Sequence, residues 1–276
     1  SLTAASRRRF VDSAVAFVRR HDLDGFDVDW EYPGLPGNGN VNRPEDKKNF
    51  SALMGELRAA LDKEGAAQKR HYLLTFAAGA SQSFLDHTEM DVVQGVVDYV
   101  NLMTYDFREA ESEPVAGHHS NLFVNPADPE QMSADRAVRA FIAAGVPARK
   151  LVLGVPFYGH AWAEVDGRDE PLYREGKAPT ERVSTHYDAL APLVGGSTGW
   201  VRKWDASAQM PYLWNATKRI FVAYDDPESL RVKARFIRDR GLAGAMFWEL
   251  YADRSGDLLR TLASELLGAP ARVPVK

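Results

Sequence analysis

The 276-residue chain contains no cysteine. Disulfides, zinc–thiolate sites and thiol nucleophiles are therefore excluded, while the compartment stays open. No apolar run approaches the roughly 20 residues that span a bilayer. There is no basic excess either: 34 Lys and Arg face 38 Asp and Glu, for a net charge of −4. Such a surface attracts neither nucleic acid nor an anionic membrane, so a neutral or small partner is expected. The opening residues SLTAASRRRF hold no signal-peptide core, and no internal repeat or low-complexity tract is present. The one tight basic cluster, Arg7-Arg8-Arg9, is expected to be a solvated helix face. What remains, at 45% hydrophobic and 26% charged, is an ordinary globular composition.

Helical and extended patterns alternate along the chain. Phe10, Ala14, Phe17 and Val18 recur at helical spacing. The stretch DGFDVDWEYP (24–33) then reads as a strand, and residues 34–40 as a Gly/Pro/Asn loop. Pro44, Glu45 and Asp46 suit a helix first turn, with Phe50, Leu53, Leu57 and Leu61 as its apolar face. Strands are expected at 72–80, 99–107, 151–159 and 244–250. Helices are expected around Met132, Val138, Phe141 and Ile142, and from Asp226-Pro227 through Leu230, Ala234 and Ile237 to Gly241. Strands alternating with helices imply parallel pairing. The segment from Gly159 to Gly244 is too long for one crossover, and seven Trp and Tyr residues lie between 162 and 222. Residues 162–222 are therefore expected to form an inserted α+β subdomain. Residues 1–161 and 223–276 would make the remaining α/β domain.

The stretch 24–33 sets four acids among apolar residues. Alternation along a strand puts Asp27, Asp29 and Glu31 on one face and Phe26, Val28 and Trp30 on the other. The three acids span about 13 Å, close enough for side chains to meet. In a sheet interior, repulsion and desolvation raise carboxyl pKa values, so protons are shared along the row. Glu31, at the strand's end, is the candidate general acid. No histidine stands near at a ligand spacing, so no metal is assigned. A structural salt-bridge row would need basic partners that the neighbouring strands lack.

DGFDVDWE resembles the D-x-x-D-x-D-x-E signature of glycoside hydrolase family 18, the chitinases. MTYDF (103–107) is similar to the family's sixth-strand motif and LVLGVPFYG (151–159) to its seventh strand. YDDPESLRVKARFIRDRGLAGAMFWEL (224–250) resembles the last helix and eighth strand. The aromatic-rich insert sits where many members carry a chitinase insertion domain. The resemblance implies a TIM (β/α)8-type barrel in an α/β class, here with about five of eight strands.

It also implies a retaining, substrate-assisted hydrolysis of β-1,4-linked N-acetylglucosamine, one of the exceptions to the two-carboxylate scheme. In that scheme the substrate's acetamido oxygen attacks the anomeric carbon. Glu31 would protonate the glycosidic oxygen and later activate water. Asp29 would orient the acetamido group, and the deeper Asp27 would balance the shared proton, while Asp24 is structural. Tyr105 would donate to the acetamido group, Asp106 would bind sugar hydroxyls, and Trp248 would stack beneath the sugar. Tyr158 and Tyr32 complete the substrate contacts. Met103 joins them by its shared face with Tyr105, although Met103 and Met246 read better as core.

His160, in GHAW (159–162), stands where many members have arginine, and His118-His119 read as ordinary loop histidines. The resemblance implies no cofactor. It implies chitin or chitooligosaccharides as partners, with neither nucleic acid nor membrane, and a secreted location. An incomplete barrel would leave the acid-bearing and last strands as open edges, which a second copy of the chain is expected to cover. Two alternatives share the scaffold: a non-catalytic chitin-binding lectin, which the intact Glu31 disfavours, and an endo-β-N-acetylglucosaminidase.

Overall fold

The computed structural model describes residues 2–37, 39–167, 170–180, 183–196 and 198–268. The expected loop 34–40, the insert 162–222 and the segment 223–276 each include positions outside these. The chain divides into two compact units, one from the described residues of 1–103 and 137–152, the other from those of 104–136 and 153–276.

The first unit opens with α1 (Ala4–Arg20), whose first turn is closed by a capping box between Thr3 and Ser6. Strand β1 (Gly25–Val28), helix α2 (Asp46–Gln68) and strand β2 (Leu73–Gly79) follow. Two short helices, α3 (Gln82–Asp86) and α4 (Met90–Val93), lead to β3 (Tyr99–Met103). Helix α5 (Ala134–Ala143) precedes β4 (Leu151–Pro156). Pairing is parallel, with Asp27 opposite Thr75 and Thr75 opposite Tyr99. The expected face of α2 is the observed one: Phe50, Leu53, Leu57 and Leu61 are buried, and Phe50 meets Phe76 of β2 edge-on at 5.2 Å. Truncating a side chain as enclosed as Leu57 costs about 2–5 kcal/mol.

Helix α1 departs from expectation. Val11, Ala14 and Val18 are buried, whereas Phe10 and Phe17 are 44% and 50% exposed. The spacing was right, but the inward stripe is rotated by about one residue. Arg7 is not solvated: its guanidinium pairs with Glu56 of α2 at 2.8 Å.

The second unit contains β5 (His160–Trp162), α6 (Tyr187–Leu190), β6 (Val201–Asp205), β7 (Met210–Asn215) and β8 (Ile220–Ala223). Helix α7 (Pro227–Arg240), strand β9 (Gly244–Trp248) and helix α8 (Asp257–Leu267) complete it. Strands β5 to β8 form an antiparallel sheet in the order β5-β8-β7-β6. Three of the aromatics between 162 and 222, Trp162, Tyr212 and Trp214, are buried in one cluster with Phe221. Helix α7 follows its sequence signals, with Asp226 as N-cap, Pro227 in the first turn and Gly241 at φ 62° as the left-handed C-cap.

Among the described residues, β1, β2 and β3 pair side by side in parallel, as in part of a TIM barrel. β4 is buried along its whole length, as a parallel strand covered on both faces should be. No helix among the described residues is long and apolar enough to cross a membrane.

Candidate active site

In the first unit, the acid segment starts where β1 meets β2 closely. A Cβ on Gly25 would fall 2.2 Å from the Leu73 carbonyl oxygen, so only glycine fits. Asp24 pairs with Arg70 at 2.8 Å. One oxygen of Asp27, Oδ1, accepts from Thr75 Oγ1 of β2 at 2.5 Å and from Asn101 Nδ2 of β3 at 3.0 Å. These anchors are neutral, in keeping with the expected lack of basic partners. Burial first, and Asp27 second, raise the phenol of nearby Tyr99.

β1 ends at Val28, so Asp29 and Glu31 lie beyond the strand, not on it. The expected buried row is also corrected: Asp27 and Asp29 are exposed and Glu31 is half-buried. β1 stands at one end of the described strand order, so its acids keep contact with solvent. The carboxyls of Asp29 and Glu31 are nevertheless close enough to share a hydrogen bond when one of them is protonated. Desolvation raises the Asp29 carboxyl most, followed by the Glu31 charge and that hydrogen bond, with Asp27 adding least, and together they bring it to about 6. The Asp29 carboxyl therefore keeps its proton well above the ordinary carboxylate range.

Asn40 Nδ2 donates to the Glu31 carbonyl oxygen at 3.1 Å. Trp30 meets Phe50 edge-on at 6.1 Å, and Tyr32 meets Phe84 at 6.2 Å. Phe10, Phe26, Asp27, Asp29, Trp30 and Glu31 all line one cleft of about 450 Å³. Met103, at the end of β3, is half-buried.

The second unit gathers the other expected residues around Asp106. Its backbone is left-handed at φ 55°, a conformation Asp tolerates better than most side chains. Its Oδ1 accepts from Tyr158 Oη at 2.6 Å and lies 2.8 Å from His160 Nε2. His119 Nδ1 stands 3.6 Å from the same oxygen. Burial alone would raise the Asp106 carboxyl, but the surrounding His119, His160 and Tyr158 outweigh it and hold it well below the usual range. Burial pushes the His119 imidazole down to about 4, against the pull of Asp106. The Tyr158 phenol is driven strongly upward, first by burial and then by Asp106.

Tyr105 meets Tyr158 edge-on at 6.3 Å, and its hydroxyl donates to Met246 Sδ at 3.8 Å. Trp248 is 57% exposed at the end of β9, with its backbone fixed by Phe157 N–H donating to the Trp248 carbonyl at 2.7 Å. An exposed indole at a strand end offers a flat face to a ligand.

His118 and His119 are not ordinary loop histidines. Both are buried, His118 pairing with Asp205 at 3.2 Å and His119 facing Asp106. Sequence reasoning also passed over Thr75 and Asn101. Their signal was a polar residue inside each otherwise apolar strand.

The family described as Glycosyl hydrolases family 18 matches residues 1–253. Chitinase A1 of Niallia circulans is 40% identical over 278 residues, covering 96% of this chain and 40% of that protein. Chitinase B of Serratia marcescens is 31% identical, covering 94% of this chain and 61% of that protein. This chain thus spans about 40–61% of these curated relatives. Among solved structures, a family 18 N-acetylglucosaminidase from Paenibacillus barengoltzii superposes with a TM-score of 0.90 at 40% identity, covering 96% of this chain and 77% of that one. A class V chitinase from Nicotiana tobaccum in complex with NAG4 gives 0.85 at 28% identity, covering 96% and 74%.

Proposed function

The chain belongs to glycosyl hydrolase family 18, and from that premise we propose that it hydrolyses β-1,4 linkages between N-acetylglucosamine units of chitin or chitooligosaccharides. The observation that supports this best is the placement of Glu31 beside an Asp29 carboxyl raised to about 6. A carboxylic acid that keeps its proton near neutral pH can act as a general acid.

In this reading Glu31 gives its proton to the glycosidic oxygen as the bond to the anomeric carbon breaks. The acetamido carbonyl oxygen of the same sugar supplies the electron pair to that carbon, forming an oxazolinium ion. Glu31, now a carboxylate, takes a proton from water as the water opens the ring, so configuration is retained. Asp29 hydrogen-bonds the acetamido N–H, and Asp27, fixed by Thr75 and Asn101, sets the charge behind it. By the family resemblance, Tyr105 donates to the acetamido oxygen, Asp106 and Tyr158 bind hydroxyls, Trp248 stacks under the ring, and Tyr32 and Met103 complete the sugar contacts.

A chitin-binding lectin on this scaffold would do without a proton donor, and the presence of Glu31 argues for the enzyme. The N-acetylglucosaminidase relative favours short chitooligosaccharides as a second reading of the substrate. Chitin is an insoluble polymer, so the enzyme would act outside the cell. A second copy of the chain would cover the open sheet edge at β1, which a dimer mass in light scattering tests.

The deciding experiment compares the chain with Glu31→Gln on fluorogenic chitobiose and chitotriose substrates. An amide cannot protonate the leaving oxygen, so turnover is expected to fall on the order of 1,000-fold. Equal rates for the two proteins would refute the assignment of Glu31. No turnover by either, with oligosaccharide binding retained, would favour the lectin.

A further inference from the structure

Asp106, His119 and His160 have a property that sugar binding does not require. We propose that these three side chains form a binding site for a divalent transition cation of borderline softness, such as zinc or nickel. Their ligand atoms all lie within 4.8 Å of one another. Asp106 Oδ1 is 2.8 Å from His160 Nε2 and 3.6 Å from His119 Nδ1. The two imidazole rings stand nearly perpendicular, 87° apart, with centroids 4.8 Å from each other. One carboxylate and two imidazoles suit zinc, nickel or copper better than calcium or magnesium, which prefer oxygen alone.

A second observation points the same way. His119 is fully buried, yet neither of its ring nitrogens has a partner within hydrogen-bonding distance among the described residues. Leaving such a group unsatisfied costs about 1–3 kcal/mol. A cation seated between His119 and Asp106 gives the nitrogen facing Asp106, Nδ1, a partner. Metal–ligand bonds of about 2.0–2.2 Å in tetrahedral geometry place ligands roughly 3.3 Å apart. The His119–Asp106 spacing of 3.6 Å is near this, and the half-buried His160, at 2.8 Å from Asp106, has to shift slightly away from it to admit the ion. Tyr158 Oη, donating to Asp106 Oδ1 at 2.6 Å, would orient the carboxylate as an outer-shell partner. Asp106 is exposed, which gives the ion a route in and leaves a coordination position for water. Ion capture here does not depend on whether the chain hydrolyses glycans.

The test is calorimetric titration of the dialysed full chain with zinc chloride, with cobalt absorption as a spectroscopic check on the ligand set. One ion per chain is expected. His160→Gln should weaken binding at least about tenfold, and His119→Gln should do the same if its near-ultraviolet circular dichroism stays native. His21→Gln, at the exposed end of α1, should leave the affinity unchanged. Because His160 is only half-buried, its variant decides the matter even if the His119 variant fails to fold. Absence of zinc binding by the unaltered chain, or equal affinity in His160→Gln, would overturn the proposal.

Discussion

Asp29 and Asp106 are the same residue type, each placed in a partly desolvated site, yet the fold pushes their carboxyls in opposite directions. Asp29 is flanked by two further acids, Glu31 and Asp27, and its carboxyl rises to about 6. Asp106 is surrounded by Tyr158, His160 and His119, and its carboxyl falls well below the ordinary value of 3.8. Burial acts upward in both cases, so the neighbours decide the outcome. The first environment stores a proton. The second fixes a negative charge. Proton donation to a leaving group needs the former, and binding hydroxyls or a cation suits the latter.

The sharpest way to break this contrast is to remove the stored proton. Asp29→Asn is expected to lower kcat about 100-fold. The unaltered chain should also lose activity as pH rises through about 6, where Asp29 gives up its proton. Measuring kcat against pH for both proteins checks this. A profile flat from pH 5 to 8 in the unaltered chain would remove the link between the Asp29–Glu31 pair and catalysis.

A smaller effect, of opposite sign in the two sites, is expected in stability. The fold disfavours ionised Asp29, so this group's contribution falls as pH rises from 3.8 to about 6 and stays low above that. Asp29→Asn should therefore gain stability relative to the parent as pH passes 6. Asp106 is held ionised, so its contribution is present above 3.8 and is lost as pH falls. Asp106→Asn should lose stability at neutral pH, with the deficit closing under acid. Both carboxylates are solvent-exposed, so each effect is on the order of 1 kcal/mol or less after screening. Urea midpoints at pH 4 and pH 7 measure it. Shifts of the same sign would break the comparison.

The sequence carried this contrast unevenly. Local signals were direct: the caps of α7, the buried stripe of α2 and the apolar run of β4 are one-dimensional patterns. The acid signature named Asp27, Asp29 and Glu31, but strand parity could not reveal that β1 stops at Val28 or that its acids stay exposed. Those features depend on where β1 stands in the sheet. Asp106 was legible only through the family motif. Its partner His119 lies 13 residues on and His160 a further 41, so no local pattern joins them. Phe10 and Phe17 misled for the opposite reason: a helical stripe gives the spacing of a face without its neighbours, and Val11 displaced them from the core.

The smallest expected effect sharpens the contrast most cleanly, because it alters one donor and no charge. Tyr158→Phe removes the hydroxyl that donates to Asp106 Oδ1 at 2.6 Å and leaves the ring in place. A hydrogen bond to a charged group contributes more than a neutral one, but Asp106 is solvated enough for water to take over part of the role, so about 0.5 kcal/mol is expected. The loss should appear at neutral pH and vanish in acid, since a protonated Asp106 no longer depends on the donor. Carbon-detected titration should show the Asp106 carboxyl moving upward while Asp29, in the other unit, still titrates near 6. An unmoved Asp106 would mean that the two histidines alone hold its charge, and the account of that site would then reduce to Asp106, His119 and His160.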